Sequence, residues 1–193
     1  MSRKYHRHVQ RQTENQFTVM TEASLTGGSA EGFEVGSSFT YSGADAVMSV
    51  WDNDRVMHGD SYRNETGNDR QPGTLTMADG TTVSIGNVYA ESFHVLRGDN
   101  GCYYYMIEIE GTNMSNAPGE DDVFAFYGAV PPADTVLTSV YEGNVYGGLH
   151  YGALDGGELF APIAVVADMI TVDQNASNDT LDLNVLANDS AGT

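Results

Sequence analysis

VYAESFHVL (Val88 to Leu96), RGDNG (Arg97 to Gly101) and CYYYMIEI (Cys102 to Ile109) read together as one β-hairpin, and that reading decides the fold class. Successive side chains of a strand point to opposite faces. In the second arm Tyr103, Tyr105, Ile107 and Ile109 therefore share one face, and Tyr104, Met106 and Glu108 the other. Aromatic and β-branched residues at this density favour a pleated surface over a helix. Gly98, Asp99, Asn100 and Gly101 supply the turn. Arg97-Gly98-Asp99 is also a tripeptide that some adhesive ligands carry, but it falls where the hairpin needs its turn, and the turn accounts for it. Cys102 is expected to be a buried strand residue.

Working outward, Gly73 to Ile85 forms another hairpin, with Leu75 and Met77 on one arm, Val83 and Ile85 on the other, and Asp79-Gly80 at a tip expected to need positive φ at both positions. Further strand-like runs are Phe17 to Met20, Phe33 to Tyr41, Ala46 to Trp51, Asp121 to Val130 and Thr135 to Tyr146. Thr26 to Ser29 and Pro131-Pro132 punctuate them, while Asp52 to Gln71 and the glycine-rich 147–157 read as loops. No helical period lasts four turns. The pattern predicts an all-β protein, an antiparallel β-sandwich of jelly-roll or Ig-like type, over residues 17–160, after a basic tail at 1–16. Residues 161–193 hold a C-terminal strand pair, Ala164 to Val172 and Thr180 to Leu186. Two strands alone are marginal in water. This pair packs on the body, opens an incomplete Ig/cadherin-like repeat, or serves as a donor-strand arm, with Val165, Val172, Leu181, Leu183 and Val185 as its contact residues.

The chain has 27 acidic against 8 basic residues, a formal charge of -19. Such a field repels nucleic acid and anionic lipid, so neither is an expected partner. No run is apolar and long enough to insert in a membrane, and the first twenty residues lack the apolar core of a signal peptide. The composition suits an extracellular or cell-surface bacterial protein exported without such a signal. A single cysteine excludes an intrachain disulfide framework. Arg3, Lys4, Arg7 and Arg11 make the tail basic and leave the body more acidic, an arrangement that favours docking of the tail on a neighbouring copy.

Asp52, Asp54, Asp60, Asn64, Glu65 and Asp69 concentrate oxygen donors in one polar stretch, which suits calcium, although no EF-hand spacing is present. The bland alternative is a solvated loop paired with Arg55, Arg63 and Arg70. His58, His94 and His150 allow a histidine and carboxylate catalytic set on paper, but no nucleophile or zinc motif supports it. Glu108 and Glu110 share a strand face, as the carboxylates of a glycosidase or of an ordinary exposed edge would. Eleven tyrosines, among them Tyr141, Tyr146, Tyr151 and the 103–105 run, suit an assembly or ligand face, with the alternating ones in the core.

Two resemblances add to this. APIAVVAD (Ala161 to Asp168) with LDLNVLANDS (Leu181 to Ser190) resembles the opening of the cadherin-like or Ig-like repeats of large bacterial adhesins. It implies Asn188 and Asp189 as calcium contacts. Trp51 to Asp60, Asn64 to Arg70, Val88 to Glu91 and Ile107 to Gly111 resemble the N-terminal module of marine alphaproteobacterial secreted proteins that carry a downstream Hint domain. That resemblance implies a module separable by cleavage after Thr193 and places the self-cleaving chemistry elsewhere. Together these features predict an extracellular structural or adhesive subunit, assembling with copies of itself into a filament or surface layer by β-strand exchange. The alternative is a monomeric calcium- or glycan-binding module of an adhesin; a polysaccharide-active enzyme is third.

Overall fold

A computed structural model describes residues 12–29, 31–59, 70–114 and 122–154. In chain order they form β1 (Thr13–Thr21), a one-turn helix α1 (Glu22–Thr26), β2 (Ser38–Thr40), β3 (Ala46–Asp52), β4 (Val56–His58), β5 (Pro72–Met77), β6 (Thr82–Gly98), β7 (Tyr103–Gly111), β8 (Asp122–Tyr127), β9 (Val136–Asn144) and β10 (Gly148–His150), then a 3₁₀ turn at Tyr151–Ala153. The all-β, antiparallel expectation holds. Its layers, however, are closed into a six-strand barrel running β6, β5, β3, β1, β8, β7 and back to β6. β9 and then β2 extend the sheet from β6 as a flap outside the ring.

The 17-residue β6 makes this possible. Its first part pairs with β5, its second with β9, and from Val88 onward its other edge pairs with β7. The sequence reading separated two hairpins at Ile85 to Val88, but the chain runs straight through. Gly86, at φ +80°, sits where the β5 register slips, and a Cβ there would lie 2.2 Å from Thr112 Oγ1. Glycine permits the bulge that turns the strand from one wall into the other.

Both hairpin tips use a three-residue loop closed by a left-handed glycine. Gly80 N–H donates to Met77 O and Gly101 N–H to Gly98 O, while Met77 N–H reaches Thr81 O and Gly98 N–H reaches Cys102 O. Gly80 has φ +84° and Gly101 +83°, whereas Asp79 keeps negative φ, contrary to the two-residue turn expected there. The Asp79 and Asn100 side chains instead accept the N–H two residues on, from Thr81 and Cys102. Cys102 is exposed, not buried, because it ends the turn before β7 begins.

The barrel interior is packed by residues such as Phe17, Met48, Val50, Val88, Ile107 and Ile109, joined by Met57 of β4, Val145 just after β9, Tyr151 of the 3₁₀ turn and Leu154 just after it. A second core lies outside the barrel wall. There Leu25, Phe33 and Phe39 cover Leu96, Tyr104, Met106, Phe124 and Leu137. The segment read as a strand from Phe33 to Tyr41 pairs only at Ser38–Thr40; its remainder is a loop that lays Phe33 on this wall. Thr13 to Gln16, assigned to the tail, belong to β1, and the polar stretch from Asp52 contains β4. Arg3, Lys4, Arg7 and the C-terminal pair with Val165, Val172, Leu181, Leu183 and Val185 lie outside the described residues.

Candidate functional site

A second bulge in β6 builds the most chemically loaded place on the molecule. Ala90 pairs with Ile109 and Phe93 with Ile107, so Glu91 and Ser92 together oppose the single residue Glu108. Ser92 Oγ donates to Glu108 Oε2. Asp122, at the start of β8 and paired with Glu110, brings in a further carboxylate. One oxygen each from Glu91, Glu108 and Asp122 lies within 4.8 Å of the others. His94 follows on the same strand, between Met106 and Glu142 of the neighbouring strands.

His94 is fully buried. Its ring packs edge-on against Phe33 at 5.1 Å, Nδ1 lies 3.0 Å from Ser139 Oγ, and Nε2 lies 4.0 Å from Glu108 Oε2. Nε2 has no hydrogen-bond partner among the described residues. Burial disfavours imidazolium and pushes His94 down to about 4. Burial also pushes Glu108 up to about 7, with Glu91 and Glu142 adding repulsion and hydrogen bonds from Ser92 and Asp122 opposing the rise. An open cleft that meets this cluster at Glu108 is lined also by Glu22, Glu31, Glu34 and Glu142 with Phe33 and Val35, and no lining residue is cationic.

Ser139, His94 and Glu108 stand in the order of a nucleophile, a base and its orienting carboxylate. Ser139, however, is 1% exposed, so no substrate carbonyl can reach its oxygen in this arrangement. What the cluster can do is hold a proton or a cation. The signal for it in the sequence was the Glu91-Ser92 doublet, where the alternation of VYAESFHVL breaks.

Of the residues singled out from the sequence, His94 and Glu108 meet in this cluster, and others lie elsewhere. Asp52 is 1% exposed; its carboxylate accepts Tyr151 Oη at 2.8 Å and the N–H groups of Asn53 and Asp54. Tyr151, expected on an interface, is thus a buried core residue. Asp54 is exposed and accepts the Val56 N–H. Asp60, Glu65 and Asp69, and Asn188 and Asp189, lie outside the described residues, as does Asn64. The Asp99 carboxylate accepts the Val136 N–H, tying the hairpin tip to β9.

Tyr141 and Tyr146 are exposed, as are Tyr103 and Tyr105. Val95 pairs with Tyr105 on one side and Tyr141 on the other, so these residues form a row across β7, β6 and β9 on one sheet face. Phe93 extends the patch, its ring 5.8 Å from that of Tyr141. A Cβ on Gly143 would press on both rings at 3.0 Å, so glycine keeps the contact open. Beyond Ser139, no described strand pairs with the outer edge of β9.

No family model, curated protein or solved structure matches the chain.

Proposed function

We propose that this chain is a non-catalytic structural or adhesive module of an extracellular assembly, docking neighbouring copies through the face shared by β7, β6 and β9 and the outer edge of β9. The observation that carries this reading is the row Tyr105, Val95 and Tyr141, continued by Tyr103 and Phe93 and bordered by β9 from Val140 to Asn144, which pairs with β6 on its inner edge and with no described strand on its outer edge. Tyrosine gives large contact area at low entropic cost, and an open edge offers main-chain hydrogen bonds to an incoming strand. The ring closes the edges of its own strands, and the flanking edges of β2 and β10 are only three residues long, so the outer edge of β9 offers the longer place for strand addition. The adhesin-repeat and Hint-module resemblances support an extracellular setting.

Sedimentation velocity and negative-stain microscopy of the full chain test it. Large or fibrous species are expected for the wild type, and their loss in Tyr105→Ser/Tyr141→Ser, with circular dichroism unchanged. A wild type that stays monomeric at high concentration overturns assembly. If that monomer binds a polysaccharide and the double variant does not, the tyrosine row serves instead as a glycan platform.

A further inference from the structure

We propose that Glu91, Glu108, Asp122 and His94 form a binding site for one first-row divalent cation such as Zn²⁺ or Mn²⁺, on the outer wall of the barrel and distinct from the tyrosine face. The bulge in β6 brings three carboxylates within 4.8 Å from three adjacent strands, and no cationic side chain lines the cleft that opens beside Glu108. Carboxylates this close repel unless a proton or cation lies among them.

The independent sign is His94. A fully buried imidazole with an unsatisfied nitrogen is costly, and this one aims Nε2 at the cluster, 4.0 Å from Glu108 Oε2. Either neutral tautomer leaves Nε2 wanting. As an acceptor it faces carboxylate lone pairs, and as a donor it stops short of them. Ligands about 2.0–2.2 Å from a common cation stand roughly 3–3.5 Å apart at tetrahedral or cis-octahedral angles, so His94, which is not among the three groups within 4.8 Å of one another, closes on Glu108 by about 0.5–1 Å when the cation binds. In the tautomer that carries its proton on Nδ1, that group donates to Ser139 Oγ at 3.0 Å and the Nε2 lone pair faces Glu108, the way a neighbouring hydrogen bond orients a ligating histidine. Three carboxylate oxygens with one imidazole nitrogen favour Zn²⁺ or Mn²⁺ over calcium, which takes oxygen ligands. The negative cleft supplies the approach.

The full chain, stripped with chelator and dialysed, is titrated calorimetrically with ZnCl₂, MnCl₂ and CaCl₂. The expected result is one saturable site for Zn²⁺ or Mn²⁺, weakened about ten-fold or more in Glu108→Gln and in Asp122→Asn and unchanged in the exposed control Glu14→Gln. His94→Gln is expected to weaken Zn²⁺ far more than Ca²⁺. If His94→Gln does not fold, the two carboxylate variants still decide the matter. Absence of saturable binding, or binding that Glu108→Gln and Asp122→Asn leave intact, overturns the site and leaves a proton shared among the carboxylates as the cluster's only occupant.

Discussion

Replacing Glu108 by Gln keeps the shape of the side chain and an acceptor for Ser92 while removing a charge that the surroundings disfavour. In the folded chain Glu108 titrates at about 7 in place of its ordinary 4.5. The native state therefore holds more protons than the unfolded state between those values, and stability is lost as pH rises through that window. At 1.36 kcal/mol per pKa unit the ceiling is about 3 kcal/mol. His94 acts in the opposite sense. Its value falls from 6.5 to about 4, so the unfolded state holds the extra proton and stability is gained as pH rises from about 4 to 6.5. In the wild type the two slopes nearly cancel in this range. Glu108→Gln removes only the declining one, so its advantage over the wild type grows by up to about 3 kcal/mol between pH 4.5 and pH 8. That corresponds to roughly 6–12 °C in Tm for a chain of this size. Thermal melts of both proteins from pH 4 to 9, with chelator present, measure the difference directly, and titrations common to both drop out. A difference that stays within about 0.5 kcal/mol across the range, or is larger at acid pH, refutes the account of Glu108.

Other perturbations probe the scaffold. Gln71 is fully buried and links β4 to β6 by accepting from His58 N–H and donating to His58 O and Val88 O. Gln71→Ala is expected to cost about 2–4 kcal/mol in urea unfolding, through lost hydrogen bonds and a cavity; a cost below about 1 kcal/mol contradicts that role. Tyr151→Phe strips the hydroxyl that donates to buried Asp52, and about 1–3 kcal/mol should be lost while the near-ultraviolet dichroism persists. Gly86→Ala meets both positive φ and Thr112 Oγ1, so a loss above about 2 kcal/mol is expected, whereas Gly80→Ala, with open space around it, loses less. Equal effects at the two glycines would contradict the bulge as the strand's turning point.

Local chemistry along the chain determined much of this protein. Alternation in residues 102–109 specified a strand with two distinct faces, Asp, Asn and Gly specified the hairpin tips, and the sparse Lys and Arg specified an acidic surface. These features act between near neighbours, so a linear reading reaches them. Ring closure was not legible, because it depends on how far β6 runs and where it bulges, and Gly86-Asn87 reads equally as a turn. Nor was the meeting of Asp52 with Tyr151, 99 residues apart, which made a predicted ligand and a predicted interface residue into each other's buried partner. The carboxylate cluster belongs to the same class. Glu91, Glu108 and Asp122 are individually ordinary strand residues, and only the register of β6, β7 and β8, set by burying both cores at once, brings their charges together beside His94. Period is a property of one strand, whereas register is a property of the packed sheet.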